Sequence, residues 1–547
     1  MTKHLGADVC LVVTLLMLVL PSRGALGKSC AEVAQLKIPD VTITAASELP
    51  AGPFTPPGSS HTLQTVALCR VLAVAKPTTD SVINFEVWIP AAGQWNGKFE
   101  GVGNGAYNGA ISYGAMVNAV YRGFATASSD TGHVGESLMF GQGHPEKIAD
   151  WGYRALHVTT AAAKLFIKEY TGMVPKYSYF NGCSTGGHQA LMEAQRFPKD
   201  YDGVIAGAPG NNRVHLNVGF LWAYAATHSP DGQAILPTSK LPLIYKAVLK
   251  ACDAADGIQD GVIDDPQDCH FDPATLLCQG KAADFCLNAA QVEAVRKVYA
   301  GPRNPRAGEQ LIAGYSPGSE SPPGDENGGW KSFVTEPKEP PRLDFWKGWV
   351  FNDPAWDWRT FDYDGDVALA DKKMAVVNAS DTDLRAFKAR GGKIVMYSGW
   401  ADPVGPPMDA VNYYERVITA MGGLQQTSDF FRLFMVPGMG HCNGGPGTTI
   451  FGGARGSNDP RSVPPQINID PDHDVLSALE RWVEKGVAPD FIITSHLTRN
   501  DTIDRTRRAC PYPQVARWKG AGSTNDASNF VCRDKPSASP PARSAKK

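Results

Sequence analysis

The chain has 547 residues, with 52 Lys and Arg against 55 Asp and Glu, for a formal net charge of −3. This near-balance, without a basic cluster, excludes an electrostatic groove for nucleic acid. The length suits one large domain with a substantial insertion, or two domains.

At the N-terminus, Lys3 and His4 precede an apolar run over residues 9–20, and Pro21-Ser22-Arg23-Gly24-Ala25 follows. That pattern reads as a secretory signal over residues 1–27. The run is too short to span a bilayer comfortably, so no membrane association is expected once the signal is removed. One of the 11 cysteines, Cys10, falls in this segment. Ten remain, and an even set in an exported chain points to disulfides. The short-range pairs are Cys252–Cys269, Cys278–Cys286 and Cys510–Cys532, but spacing alone does not choose among pairings.

Residues 30–76 read as an entry segment of short strands. Residues 81–90 alternate as a strand, and residues 98–102 form the next. The second runs into Gly103-Asn104-Gly105, a Gly-rich loop where backbone amides can approach a ligand. Residues 123–129 read as a third strand and 150–170 as a helix with an apolar stripe. Residues 177–180 are alternating and aromatic, as in a buried strand. They lead into Gly182-Cys183-Ser184-Thr185-Gly186, followed by a helical pattern over 189–197. Strand, sharp turn and helix are the setting of a nucleophile elbow. Residues 202–209 continue as a buried strand. Strands alternating with helices predict a doubly wound, mostly parallel sheet of α/β class.

From 211 to 385 the rhythm breaks, and this stretch reads as an inserted lid. It is rich in tryptophan, which suits either an aromatic substrate or simply a lid core. The α/β pattern then resumes, so residues 28–210 and 386–535 are assigned to one catalytic domain. Its expected elements are a helix at 381–390, a strand at 393–397, a helix at 408–421, a last strand at 430–436 and a closing helix at 474–485. The tail, 536–547, has a disordered composition.

A serine hydroxyl becomes a useful nucleophile when a histidine takes its proton and a carboxylate orients that histidine. Downstream of Ser184, Asp402 stands in the loop after one strand and His441 in the loop after the last. His473 and His496 are rivals, but neither follows a strand at that edge. The expected oxyanion donors are the Thr185 and Gly105 amides, with Gly103 in reserve. Cys183 and Cys442 flank the proposed nucleophile and base, so a Ser184–His441 contact brings them within disulfide reach. A second match, Gly314-Tyr315-Ser316-Pro317-Gly318, is rejected because Pro317 has no amide to donate. The acidic stretch from Cys252 to Asp265 spaces Asp253, Asp256 and Asp260 as oxygen ligands for a hard cation, with calcium the natural candidate; a solvated turn is the alternative.

These motifs, together with Gly399-Trp400-Ala401-Asp402-Pro403 and Gly438-Met439-Gly440-His441-Cys442, resemble the tannase/feruloyl esterase family. That family also contains mono(2-hydroxyethyl) terephthalate hydrolase. The resemblance covers roughly residues 30–535. It implies an α/β-hydrolase fold, a Ser184–Asp402–His441 triad and a Cys183–Cys442 bond. It further implies a structural Ca2+ in the lid, held by Asp253, Asp256 and Asp260 through carboxylates and by Ile258 and Val262 through carbonyls. The remaining implied pairs are Cys30–Cys69, Cys252–Cys269, Cys278–Cys286 and Cys510–Cys532. The function implied is an exported serine carboxylesterase of feruloyl, hydroxycinnamoyl or galloyl esters, acting on small-molecule, cell-wall or polyphenol substrates. Two alternatives stay open. One is a terephthalate-monoester hydrolase. The other, from a different class, is a catalytically silent, calcium-stabilised extracellular binding protein.

Overall fold

The structure is a computed structural model that describes residues 1–2, 27–281, 283–452 and 467–535. The proposed signal, except its ends, and the tail after residue 535 lie outside the described residues.

Fifteen strands are described. They are β1 (Val41–Leu49), β2 (Gly52–Phe54), β3 (Leu63–Thr65), β4 (Leu68–Ala75), β5 (Ile83–Pro90), β6 (Lys98–Val102), β7 (Ala125–Ser129) and β8 (Tyr177–Cys183). β9 (Gly203–Gly207), β10 (Lys393–Gly399) and β11 (Phe431–Val436) continue the series, followed by β12 (Ile492–Leu497), β13 (Ile503–Ala509), β14 (Gln514–Trp518) and β15 (Phe530–Asp534). Nine form one sheet in the order β1-β4-β5-β7-β6-β8-β9-β10-β11. From β7 to β11 every neighbouring pair is parallel, whereas β1, β4 and β5 join antiparallel at one side. All residues of β7 and β9 are buried, as expected for parallel strands covered on both faces. Helices Ala155–Thr171, Thr185–Arg196 and Pro407–Ala420 share one core with the sheet. Helix Val475–Lys485 closes the other face through Leu479 and Trp482. This is an α/β-hydrolase fold.

The structure departs from the sequence reading in five places, the first being that the helix expected at 381–390 spans only Arg385–Ala389. β1 and β4 are long strands rather than short ones, and together they extend the main sheet. Helix Tyr113–Tyr121 has no counterpart in the sequence reading; it follows a glycine-rich loop, and its Ser112 N-cap donates its hydroxyl to Gly103 O at 2.8 Å rather than capping the helix. The helix expected at 150–170 opens with one wide π-turn, Asp150–Arg154, before the α-helix begins. That turn tucks Trp151 against Tyr107 and His188, with ring centroids 4.6 and 5.6 Å away. Finally, helix 475–485 does not close the chain. The β12–β13 and β14–β15 hairpins follow it. β13 reads IDRTRRA, and such half-exposed, charged strands lack the apolar alternation that reveals a strand.

The insertion between β9 and β10 carries helices Arg213–Thr227, Leu241–Cys252, Ala289–Ala300 and Gly365–Lys373. Three of its tryptophans, Trp330, Trp346 and Trp349, are core, whereas Trp222, Trp356 and Trp358 stay partly exposed. Trp330 packs with Leu241, Ile244 and Val295. Trp346 and Trp349 pack with Tyr107 and Trp151 from the hydrolase portion, so lid and sheet domain share one apolar cluster. Five disulfides are present: Cys30–Cys69, Cys183–Cys442, Cys252–Cys269, Cys278–Cys286 and Cys510–Cys532. Among the described residues no helix is long and apolar enough to cross a membrane. Because Trp346 is fully buried at this shared cluster, Trp346→Ala is expected to destabilise the fold by about 3–5 kcal/mol, read as an earlier urea or thermal unfolding transition.

Candidate active site

Ser184 stands between β8 and helix Thr185–Arg196 with φ 61° and ψ −118°. This backbone region is costly for a residue with a side chain, by about 1–3 kcal/mol. The turn survives because its neighbours are glycine. A Cβ on Gly182 would lie 2.5 Å from the Gly186 carbonyl carbon, and one on Gly103 would lie 2.4 Å from Gly186 Cα. β8, the elbow helix and the loop after β6 therefore touch backbone to backbone.

The histidine loop follows β11 and crosses the end of β10. The Ala401 amide donates to Met439 O at 2.9 Å, and a Cβ on Gly399 would collide with that oxygen at 2.1 Å. This crossing sets His441 against Asp402. Asp402 is 1% exposed. Its Oδ1 accepts the Val404 and Gly405 amides at 2.8 and 3.0 Å, which fixes the carboxylate, and its Oδ2 accepts from His441 Nδ1 at 2.7 Å. A carboxylate only accepts, so Nδ1 carries the proton and Nε2 is left basic. His441 Nε2 is buried and makes no hydrogen bond among the described residues. His441 and Ser184 line one cavity of about 350 Å³, together with Gly105, Ala106, Phe333 and Arg342. The Cys183–Cys442 bond, with Cα atoms 5.9 Å apart, ties the elbow to the histidine loop.

The other sequence candidates separate cleanly. His473 pairs with Asp470, and His496 with Asp504. Ser316, in the second Gly-x-Ser-x-Gly match, is 5% exposed in a loop pinned by Glu320. The Gly103 amide is already committed to Asn181 O at 3.0 Å, which removes the reserve oxyanion donor. The Gly105 and Thr185 amides make no hydrogen bond among the described residues. The sequence reading missed two contributors. Arg342 lines the cavity from the lid. Arg213 binds Thr185 Oγ1 at 3.0 Å. Neither position carries a motif.

In the acidic loop, Asp256, Asp260, Val262 and Asp264 line a small pocket opposite Arg505 and Arg507. Burial pushes the Asp264 carboxyl up to about 7, with Asp256 adding to the effect. The Ile258 and Val262 carbonyls accept no hydrogen bond among the described residues. The Asp253 carboxylate accepts the Asp260 and Gly261 amides, and Asp260 Oδ2 accepts from Arg507 Nη2 at 2.7 Å. The donor set is thus all oxygen and rich in carboxylates, one of them (Asp253) buried and the others half-buried, as suits a hard cation. Arg507 claims one of the expected ligand oxygens, and no group of three His, Cys, Asp or Glu converges as a metal site among the described residues.

The fold and this edge of the sheet define an α/β-hydrolase. A model described as tannase and feruloyl esterase matches residues 69–533. The chain belongs to the tannase and feruloyl esterase family, and it is a carboxylic ester hydrolase. A protein described as an uncharacterized esterase from Xanthomonas campestris pv. campestris is 42% identical, covering 93% of this chain and 92% of its own. A probable feruloyl esterase B-1 from Aspergillus fumigatus is 33% identical over 87% of each. Feruloyl esterase B from Aspergillus oryzae has a solved structure with TM-score 0.84 and 29% identity, covering 92% of this chain and 99% of that one. Tannin acyl hydrolase from Aspergillus niger shares the fold, with TM-score 0.71, 19% identity and coverage of 91% and 92%.

Removing the clamp should loosen the histidine loop. The double variant Cys183→Ala/Cys442→Ala is expected to lose about 2–5 kcal/mol of stability. Ester-hydrolysis rates should fall at temperatures where the variant remains folded, by circular dichroism.

Proposed function

We propose that the protein is an exported serine esterase that cleaves esters of aromatic acids through an acyl-enzyme on Ser184. The observation that carries this reading is the His441 Nδ1–Asp402 bond in a cavity that also holds the strained Ser184. Ser184 Oγ attacks the ester carbonyl while His441 Nε2 takes its proton. Asp402 holds the imidazole and balances its charge. The Thr185 and Gly105 amides receive the oxyanion. His441 then returns the proton to the departing alcohol. Water, deprotonated by His441, attacks the acyl carbonyl; as the acyl–Oγ bond breaks, His441 returns that proton to Ser184 Oγ and the acid departs. The feruloyl esterases among the relatives favour a feruloyl-type acyl group. Arg342 in the cavity favours a second reading, an acyl group bearing its own carboxylate, as in a terephthalate monoester. The five disulfides support export to an oxidising compartment.

Ser184→Ala is expected to lower kcat on methyl ferulate by about 10⁶-fold while KM stays close to wild type. A fluorophosphonate should label wild-type Ser184 only. Retained turnover in the variant, or absent labelling of the wild type, would reject Ser184 as the nucleophile. Rates on methyl ferulate, methyl gallate and a terephthalate monoester rank the acyl groups.

We also propose that the acidic loop takes a structural calcium ion, with Asp253, Asp256 and Asp260 donating carboxylate oxygens and Ile258 and Val262 donating carbonyls. The ion would neutralise buried acid and stiffen the lid loop. Calcium added to chelator-treated protein is expected to raise the thermal midpoint, and Asp256→Asn to abolish that rise. An unchanged midpoint, with no heat of binding by calorimetry, would discard the site.

A further inference from the structure

Arg213 opens helix Arg213–Thr227 and is 3% exposed. Its guanidinium lies over the rings of Tyr107 and Trp151, 5.5 and 5.4 Å from their centroids. Nη2 donates to Thr185 Oγ1 at 3.0 Å, and Nε is buried without a partner. No carboxylate pairs with it among the described residues, in contrast to Arg122, Arg154 and Arg507. Arg342, also cationic, stacks on the same Tyr107 ring at 5.3 Å and opposes the Arg213 charge rather than balancing it.

An unpaired buried charge costs several kcal/mol. The surroundings give Arg213 aromatic faces and one hydroxyl, which offset only part of that cost. The hydroxyl is the informative contact. Thr185 Oγ1 accepts from Arg213 and donates to Ala106 O. One side chain thereby joins the elbow residue to the loop after β6. The amides of Thr185 and Gly105 stand at the two ends of that link.

We propose that Arg213 is a positioning residue for ester hydrolysis: through Thr185 it holds the two oxyanion amides in register, and its unpaired charge favours the negative oxygen of the transition state. This rests on the reading of Ser184 as nucleophile. Among the described residues no carboxylate neutralises Arg213 in the resting protein. A compensating negative charge arises nearby only when the carbonyl oxygen develops it, so the interaction is differential between ground and transition states.

Arg213→Met keeps most of the volume and removes the charge. On methyl ferulate, kcat should fall about 10–100-fold with KM within about twofold of wild type. The thermal midpoint should hold or rise, because a buried unpaired charge has been removed. Fluorophosphonate labelling of Ser184 should slow by a similar factor. Thr185→Val retains the amide but breaks the link; it should lower kcat similarly, and the double variant should lose less than the product of the two. Wild-type kcat in Arg213→Met would overturn the proposal, as would a kcat loss matched by a lower midpoint in both variants, since that marks a merely structural residue. Failure of wild-type Ser184 to react with the fluorophosphonate would overturn the nucleophile reading and this proposal together.

Discussion

At the carboxyl edge of the sheet, three loops meet at backbone contact distance, and the site depends on that closeness. Gly182 and Gly103 let the elbow lie against the loop after β6, and Gly399 lets the histidine loop cross the end of β10. A methyl group at any of these positions would collide with main-chain atoms that cannot move aside. The resulting geometry holds Ser184 in a strained conformation and His441 against Asp402. The Cys183–Cys442 bond fastens the two halves together across 259 residues of sequence. Strain at a functional residue persists only when its surroundings over-determine it, and here glycine contacts and a covalent bond both do so.

The insertion is bound into this arrangement rather than resting on it. Trp346 and Trp349 share a cluster with Tyr107 and Trp151. His188, on the elbow helix, bonds Val377 O, and the Arg213 amide bonds Asn378 Oδ1. The same Tyr107 that anchors the lid core carries Arg213 and Arg342 on its ring. Packing of the lid and electrostatics beside the elbow are therefore linked through a few aromatic side chains. Close packing transmits small displacements, so changes in the lid core are felt at the cavity.

Much of the catalytic edge was legible because its chemistry is local. Gly182 to Gly186 declares a tight turn, and the apolar runs around it declare buried strands. Asp402 and His441 each follow such a run. The long strand β1 was under-read because it lies at the outer edge of the sheet, where none of its residues is fully buried. The π-turn at Asp150 was invisible because it comes from placing Trp151 between Tyr107 and His188, which are distant in sequence. The role of the lid tryptophans had two readings from composition, and burial chose the core for Trp330, Trp346 and Trp349.

The sequence by itself determined the alternation of strand and helix, the elbow, the order Ser184, Asp402, His441, and the exclusion of Pro317 as an oxyanion donor. Each of these follows from covalent geometry or short-range periodicity. Only the tertiary structure decided which amides are free. Gly103 is spent on Asn181 and Gly105 is not, a difference set by where β6 stops pairing with β8. It also decided that Arg213, a residue with no motif around it, stands behind Thr185 without a carboxylate partner among the described residues. A charge acquires its meaning from what surrounds it in space, and for Arg213 those surroundings come from four separate stretches of the chain.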